Sequence, residues 1–85
     1  MATSMLTSFY KAEKPEIAAH KTLPFGTQLH LMNPRNGNEA DVIIHDRGPF
    51  IRGRSLDVSE QTAAQLGMTK AGVVDLQVTV INKKK

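Results

Sequence analysis

Eighty-five residues with 40% hydrophobic content sustain one domain with a compact core, not two layers of helices around a sheet. Cysteine is absent, which excludes disulfide frameworks, thiolate metal sites and cysteine nucleophiles. The formal charge of +3 traces to Lys83, Lys84 and Lys85, since the remaining eight of eleven basic residues balance eight acidic ones; without a basic stripe, nucleic acid is not an expected partner.

In chain order, "MATSMLTSFY" carries no basic patch followed by a long apolar run, so no signal peptide is read there. Residues 6–10 ("LTSFY") are a predicted first strand. "PEIAAH" is predicted as a helical turn after Pro15. "TQLHLMN" alternates, with Leu29 and Leu31 on one side and Gln28, His30 and Met32 on the other. Asn36-Gly37 in "PRNGN" is a hairpin signal. The partner strand "EADVIIH" sets Ala40, Val42 and Ile44 on one face, and Ile43 makes the other partly apolar, as in a strand inside a closed barrel. "RSLDVS" reads as a short strand with Leu56 and Val58 inward.

Residues 59–66 form the predicted helix, with Ser59 as N-cap, Glu60 in the first turn, Ala63, Ala64 and Leu66 as the apolar stripe, and Gly67 as the stop. In "VDLQVTVI", Val74, Leu76, Val78 and Val80 alternate with polar residues, a strand with one buried face. The three C-terminal lysines are expected to form a frayed tail, and no segment is long and apolar enough to span a membrane. A faint repeat pairs "AAH", Gly26 and a strand with "AAQ", Gly72 and a strand, as a barrel built from a duplicated unit would.

Asp46 carries the most chemical information. It stands where an apolar strand leaves the sheet into Arg47-Gly48-Pro49. One reading makes it a turn-former that accepts backbone N–H bonds. The other makes it a desolvated carboxylate at a barrel mouth, suited to general-acid work. His20 ends a short apolar segment, and as a lone histidine it reads as a polar cap. His30 is mid-strand and solvent-facing, and His45 lies opposite Asp46 if the strand is regular. The three histidines lack metal-ligand spacing, so no metal site is expected. No phosphate cradle, nucleophile elbow or dinucleotide fingerprint occurs. Arg47, Arg52 and Arg54 cluster in the loop after Asp46, to meet an anionic ligand or to form a solvated face.

From about Leu6 to Ile81 the chain resembles the RlpA-like double-psi β-barrel domain, through A-A-H-K-T-L-P-F-G-T, N-x-x-N-G, D-R-G-P-F and R-x-x-D-L-S followed by a helix and L-G. Val58 stands where leucine is common in the last motif, and "TSFY" matches the opening A-S-W-Y with Phe9 in place of tryptophan. The resemblance implies a mainly β, six-stranded double-psi β-barrel with one or two short helices, a single domain over residues 1–85 with its core at about 6–81. It further implies a lytic transglycosylase acting on peptidoglycan glycan strands, periplasmic or in the cell envelope, monomeric and without cofactor. Asp46 and His20 are then the catalytic pair. Thr7, Tyr10, Lys21, Thr22, His45 and Arg47 are the substrate-binding set. One departure bears on rate: only "KAEKPEI" separates Tyr10 from Ala18, so the family's loop with its G-E glutamate is largely missing, and Glu13 and Glu16 lie outside the motif. Weak activity is expected. The alternatives are a non-catalytic barrel that binds glycan or a protein partner, and a cytosolic barrel used for interaction.

Overall fold

Alternating apolar residues on four short segments need a sheet with one enclosed face, and eighty-five residues enclose one most economically by closing it. The computed structural model describes residues 2–82 and does this. Strands β1 (Thr3–Tyr10), β2 (Ile17–His20), β3 (Gln28–Met32), β4 (Glu39–Asp46), β5 (Leu56–Ser59) and β6 (Val74–Asn82) form a closed barrel in the order β1-β5-β2-β4-β3-β6, with one helix, α1 (Glu60–Gln65). The lysine tail expected at residues 83–85 lies outside the described residues.

The topology is two-fold. Exchanging β1 with β4, β2 with β5 and β3 with β6 reproduces every pairing: the parallel pairs β1·β5 and β4·β2 exchange, as do the antiparallel pairs β1·β6 and β4·β3. The pairs β2·β5 and β3·β6 map onto themselves. The strand pairing thus has the two-fold pattern a duplicated unit would give, but not in the register read from the sequence. Gly26 and Gly72 do precede the equivalent strands β3 and β6, whereas "AAH" is strand and "AAQ" is helix. The true counterpart of β2 is β5.

The inward residues Leu29, Leu31, Ile44, Leu56, Val58 and Leu76 are each 0% exposed. Trimming any such leucine to alanine costs about 2–5 kcal/mol, a large share of a small domain's stability. Leu66 and Met68, which follow α1, join the same core.

Three expectations are corrected. "PEIAAH" is not helical beyond a turn at Pro15-Glu16. Ile17–His20 is instead a strand bonded on both sides, to β4 and β5, and that neighbourhood outweighs local preference. In α1 the buried positions are Thr62 and Ala63 rather than Ala64, because the Thr62 hydroxyl donates inward to the Pro15 carbonyl at 2.9 Å. Val80 keeps the alternation but is 46% exposed: the β1·β6 register ends at Thr3↔Val78, so here β6 is paired with β3 alone, with an irregular register opposite Gln28 and Leu29.

The "NPRNGN" hairpin also closes the helix. Asn33 and Asn36 side-chain amides donate to the Leu66 carbonyl at 2.9 and 3.1 Å, and Asn38 donates to the Gln65 carbonyl at 3.2 Å. These satisfy carbonyls that a helix end leaves open. Gly67 has φ +67, and a Cβ there would stand 2.6 Å from Asn36 Nδ2, so glycine is required twice over.

Candidate active site

Two parallel pairings bring the chemical groups together. Ser8 of β1 is in register with Asp57 of β5, Asp57 with Ala19 of β2, and Ala19 with Asp46 of β4. One row thus crosses four strands, with two carboxylates flanking an alanine. At ordinary strand spacing their backbones are roughly 10 Å apart. Ala19 offers no side chain beyond Cβ and is 2% exposed, so it is a covered floor. His20 is the next residue on the same strand.

Asp46 is half-buried, and its Oδ2 accepts a hydrogen bond from the Tyr10 hydroxyl at 2.5 Å. These are the last residues of β4 and β1, the strands exchanged by the two-fold. The carboxylate is tied across the barrel end rather than bracing the turn that follows it. The Tyr10 phenol is pushed well above its ordinary range, first by burial, then by the hydrogen bond and charge of Asp46 and by the charge of Asp57. It therefore stays protonated and acts as a donor. The second carboxylate, Asp57, accepts from the Ser8 hydroxyl.

His20 does cap a turn, and the cap fixes its chemistry. Its Nδ1 accepts the backbone N–H groups of Thr22 and Leu23, each at 3.1 Å. A nitrogen that accepts two donors carries no proton, so the neutral ring holds its proton on Nε2. Burial, then the positive charges of Arg47 and Lys21, depress the imidazole's proton affinity. A neutral histidine with a defined tautomer results.

The remaining expected site residues divide. Tyr10 and Asp46 meet through their hydrogen bond, and His20 follows Ala19, the β2 partner of Asp46, while Lys21 and Thr22 are exposed on the turn after His20. Arg47 donates to the carbonyls of His20 and Leu23 at 3.1 and 2.7 Å, and its guanidinium lies 4.2 Å from the centre of the Phe25 ring. His45 is exposed and turned to the same ring, 6.0 Å between centres. Thr7 does not belong to this surface: it is 0% exposed, and its hydroxyl donates to the Met5 carbonyl at 2.9 Å. Its place in β1 is inward, toward the core. Glu16 lines a separate groove with Gln28, Asp41, Val42, Ile43 and Ile81. The residues 11–16 are drawn toward α1, where Ser59 and Thr62 hydroxyls hold the Pro15 carbonyl at 2.6 and 2.9 Å.

Sequence reasoning missed Ser8, Asp57 and Phe25. Asp57 had a signal, an acid between Leu56 and Val58 on a strand whose neighbours both point inward. Phe25 stood in the L-P-F-G-T motif without a role, because cation–π contact with Arg47 depends on how the two loops meet. Among the described residues no group of three or more histidine, aspartate or glutamate side chains is arranged to hold a metal ion.

The lytic transglycolase family model matches residues 10–78. A probable endolytic peptidoglycan transglycosylase RlpA of Nostoc sp. is 47% identical over 66 residues, covering 78% of this chain and 18% of the relative. The corresponding protein of Aquifex aeolicus is 47% identical over 64 residues, covering 75% of this chain and 28% of the relative. The endolytic peptidoglycan transglycosylase RlpA of Pasteurella multocida is 42% identical over 64 residues, with 75% and 22% covered. The chain spans less than a third of the length of these relatives.

Proposed function

The chain belongs to the lytic transglycolase family, and from that premise we propose that it cleaves peptidoglycan glycan strands in the cell envelope, acting as a monomer with low turnover. The observation that carries this reading is the Tyr10–Asp46 hydrogen bond at 2.5 Å, with a neutral histidine on the strand that pairs with β4. In its acid form, with the proton on Oδ1 while Oδ2 still accepts from Tyr10, Asp46 gives that proton to the glycosidic oxygen as the C1–O bond breaks. The resulting carboxylate takes the proton of the muramyl 6-hydroxyl, whose oxygen attacks C1 and closes a 1,6-anhydro ring. One carboxyl serves both steps, and the intramolecular attack supplies much of the rate. Tyr10 holds Oδ2 and leaves Oδ1 for the transfer. His20 Nε2–H donates to a sugar oxygen and orients the ring.

Low turnover follows from the connection over residues 11–16. It is short and its Pro15 carbonyl is held by Ser59 and Thr62, and so short a connection screens a bound sugar less from water and orients it loosely. The same feature favours a second reading, a barrel that binds glycan without cutting it. Digestion of peptide-stripped sacculi separates the two. Anhydro-ended glycans detected by mass spectrometry are the expected product; retention on the sacculi with no such ends would leave binding as the function.

A further inference from the structure

We infer that Arg47 is a positioning residue: it clasps the turn over residues 21–25 to the strand that carries Asp46, and so fixes His20 relative to Asp46. This rests on the reading of those two residues as the catalytic pair and replaces the expectation that Arg47 binds substrate.

The turn is attached to β4 at two levels. At its base, Gly26 N–H donates to the Ile44 carbonyl at 2.7 Å, and Ile44 N–H donates to the Thr27 carbonyl at 2.9 Å. Above that, Lys21, Thr22 and Phe25 are exposed, Phe25 at 50%. Leu23 packs against the core, and it is the exposed side chains on either side of it that lack cover. Arg47 spans the gap: one nitrogen, Nη1, bridges the carbonyls of His20 and Leu23, and the guanidinium plane covers Phe25. The bridged carbonyls belong to the residue that bears the imidazole and to a residue whose N–H donates to its Nδ1. Opening the turn would therefore release both the position of His20 and its tautomer.

A planar fork suits this work. It can bond two carbonyls and stack on an aromatic ring together, which an ammonium group cannot. Arg47 also directly follows Asp46, so the clasp sets the spacing between the acid and the histidine at one residue's remove. Its charge and that of Lys21 face the imidazole and oppose a second proton on the ring.

The test compares wild type with Arg47→Ala and Arg47→Lys by two independent readouts. Amide hydrogen exchange at Thr22 and Leu23, with 15N imidazole shifts of His20, follows the turn without reference to glycan. In Arg47→Ala, exchange is expected to rise about tenfold or more, and the single Nε2–H tautomer to give way to a mixture. In Arg47→Lys, which keeps the charge, both are expected to fall between the two. On soluble peptide-free glycan, kcat is expected to fall about tenfold in Arg47→Ala with KM within about twofold. Unchanged exchange and tautomer in Arg47→Ala would overturn the inference, as would a rise in KM at constant kcat, which marks a substrate contact. Should wild type not cut glycan, the proposed function fails, while exchange and tautomer still decide the role of Arg47.

Discussion

Two histidines on this barrel meet opposite surroundings. His20 sits at a strand end, with Nδ1 accepting two backbone N–H groups and two cations nearby. His30 sits mid-strand on β3, with Nδ1 2.6 Å from Asp41 and Nε2 2.6 Å from Glu39. Only an imidazolium can donate from both nitrogens, so these carboxylates push its proton affinity up. By composition, the acid–histidine–acid cluster at His30 looks the more catalytic of the two. It is a cross-strand clamp, since His30 and Asp41 are direct partners in the β3·β4 ladder and both acids are exposed. Residue type does not make a site. What separates the two regions is charge state: His20 is neutral with a fixed tautomer, on the strand paired with Asp46, whereas His30 is clamped as an imidazolium between two surface acids.

The sharpest way to break this comparison is to remove one carboxylate from each region. Asp46→Asn keeps size and one carbonyl acceptor, so it is expected to cost on the order of 1 kcal/mol of stability. It cannot pass a proton to a leaving oxygen, and glycan cleavage should drop by roughly a hundredfold or more. Asp41→Asn should leave cleavage within about twofold. Product yield by mass spectrometry, read beside melting temperature, checks both. Equal losses in two stable variants would end the claim that the barrel end holds the chemistry.

A smaller effect sharpens the picture within the site. Tyr10→Phe removes the donor to Asp46 without altering the ring's bulk. Stability should fall by about 1–2 kcal/mol, because a half-buried carboxylate loses a charge-assisted bond. Cleavage should fall about tenfold, less than for Asp46→Asn, because Tyr10 orients the acid and is not itself the acid. Combining both substitutions should cost little more activity than Asp46→Asn alone. Additive losses would assign Tyr10 a separate role.

How much of this was legible beforehand divides along the same line as the physics. Alternation in "TQLHL" and "EADVII" fixed which faces turn inward, since burial leaves a two-residue period in the sequence. Ser59 and Gly67 marked the ends of α1 because caps are local. The strand at Ile17–His20 was not legible: four residues ending in histidine carry no period, and only flanking strands make them extended. Asp46 and His20 were reached through motif resemblance and lie on paired strands, with Ala19, the residue before His20, opposite Asp46. The Tyr10 tether, the Asp57–Ser8 pair and the Arg47 clasp join residues 24 to 49 positions apart, and no local pattern encodes such contacts. Thr7 failed for the converse reason, as its motif position says nothing about facing the core.

The smallest expected effect tests the two histidines directly through the pH dependence of stability. For His30 the folded state binds its proton more tightly than the unfolded chain. Its stabilisation is full below the ordinary histidine value near 6.5 and is lost as pH rises through the raised folded value. For His20 the sign reverses. Its folded proton affinity is depressed, so its contribution is full above that value and is lost as pH falls toward the lowered one. Denaturant unfolding of wild type, His30→Gln and His20→Gln at about pH 5.5 and 8 compares the slopes. The penalty for His30→Gln should be greater at the acid pH, by a few tenths of a kcal/mol because the clamp is exposed and screened. The penalty for His20→Gln should be greater at the alkaline pH. Glutamine does not titrate, so costs unrelated to protonation cancel between the two pH values and only the signs remain. Raising the salt concentration should shrink the His30 difference, since its partners are surface carboxylates, and leave the His20 difference nearly intact, since burial is its leading cause. Slopes of the same sign would mean that the two regions do not hold opposite charge states, and the contrast between clamp and site would fall.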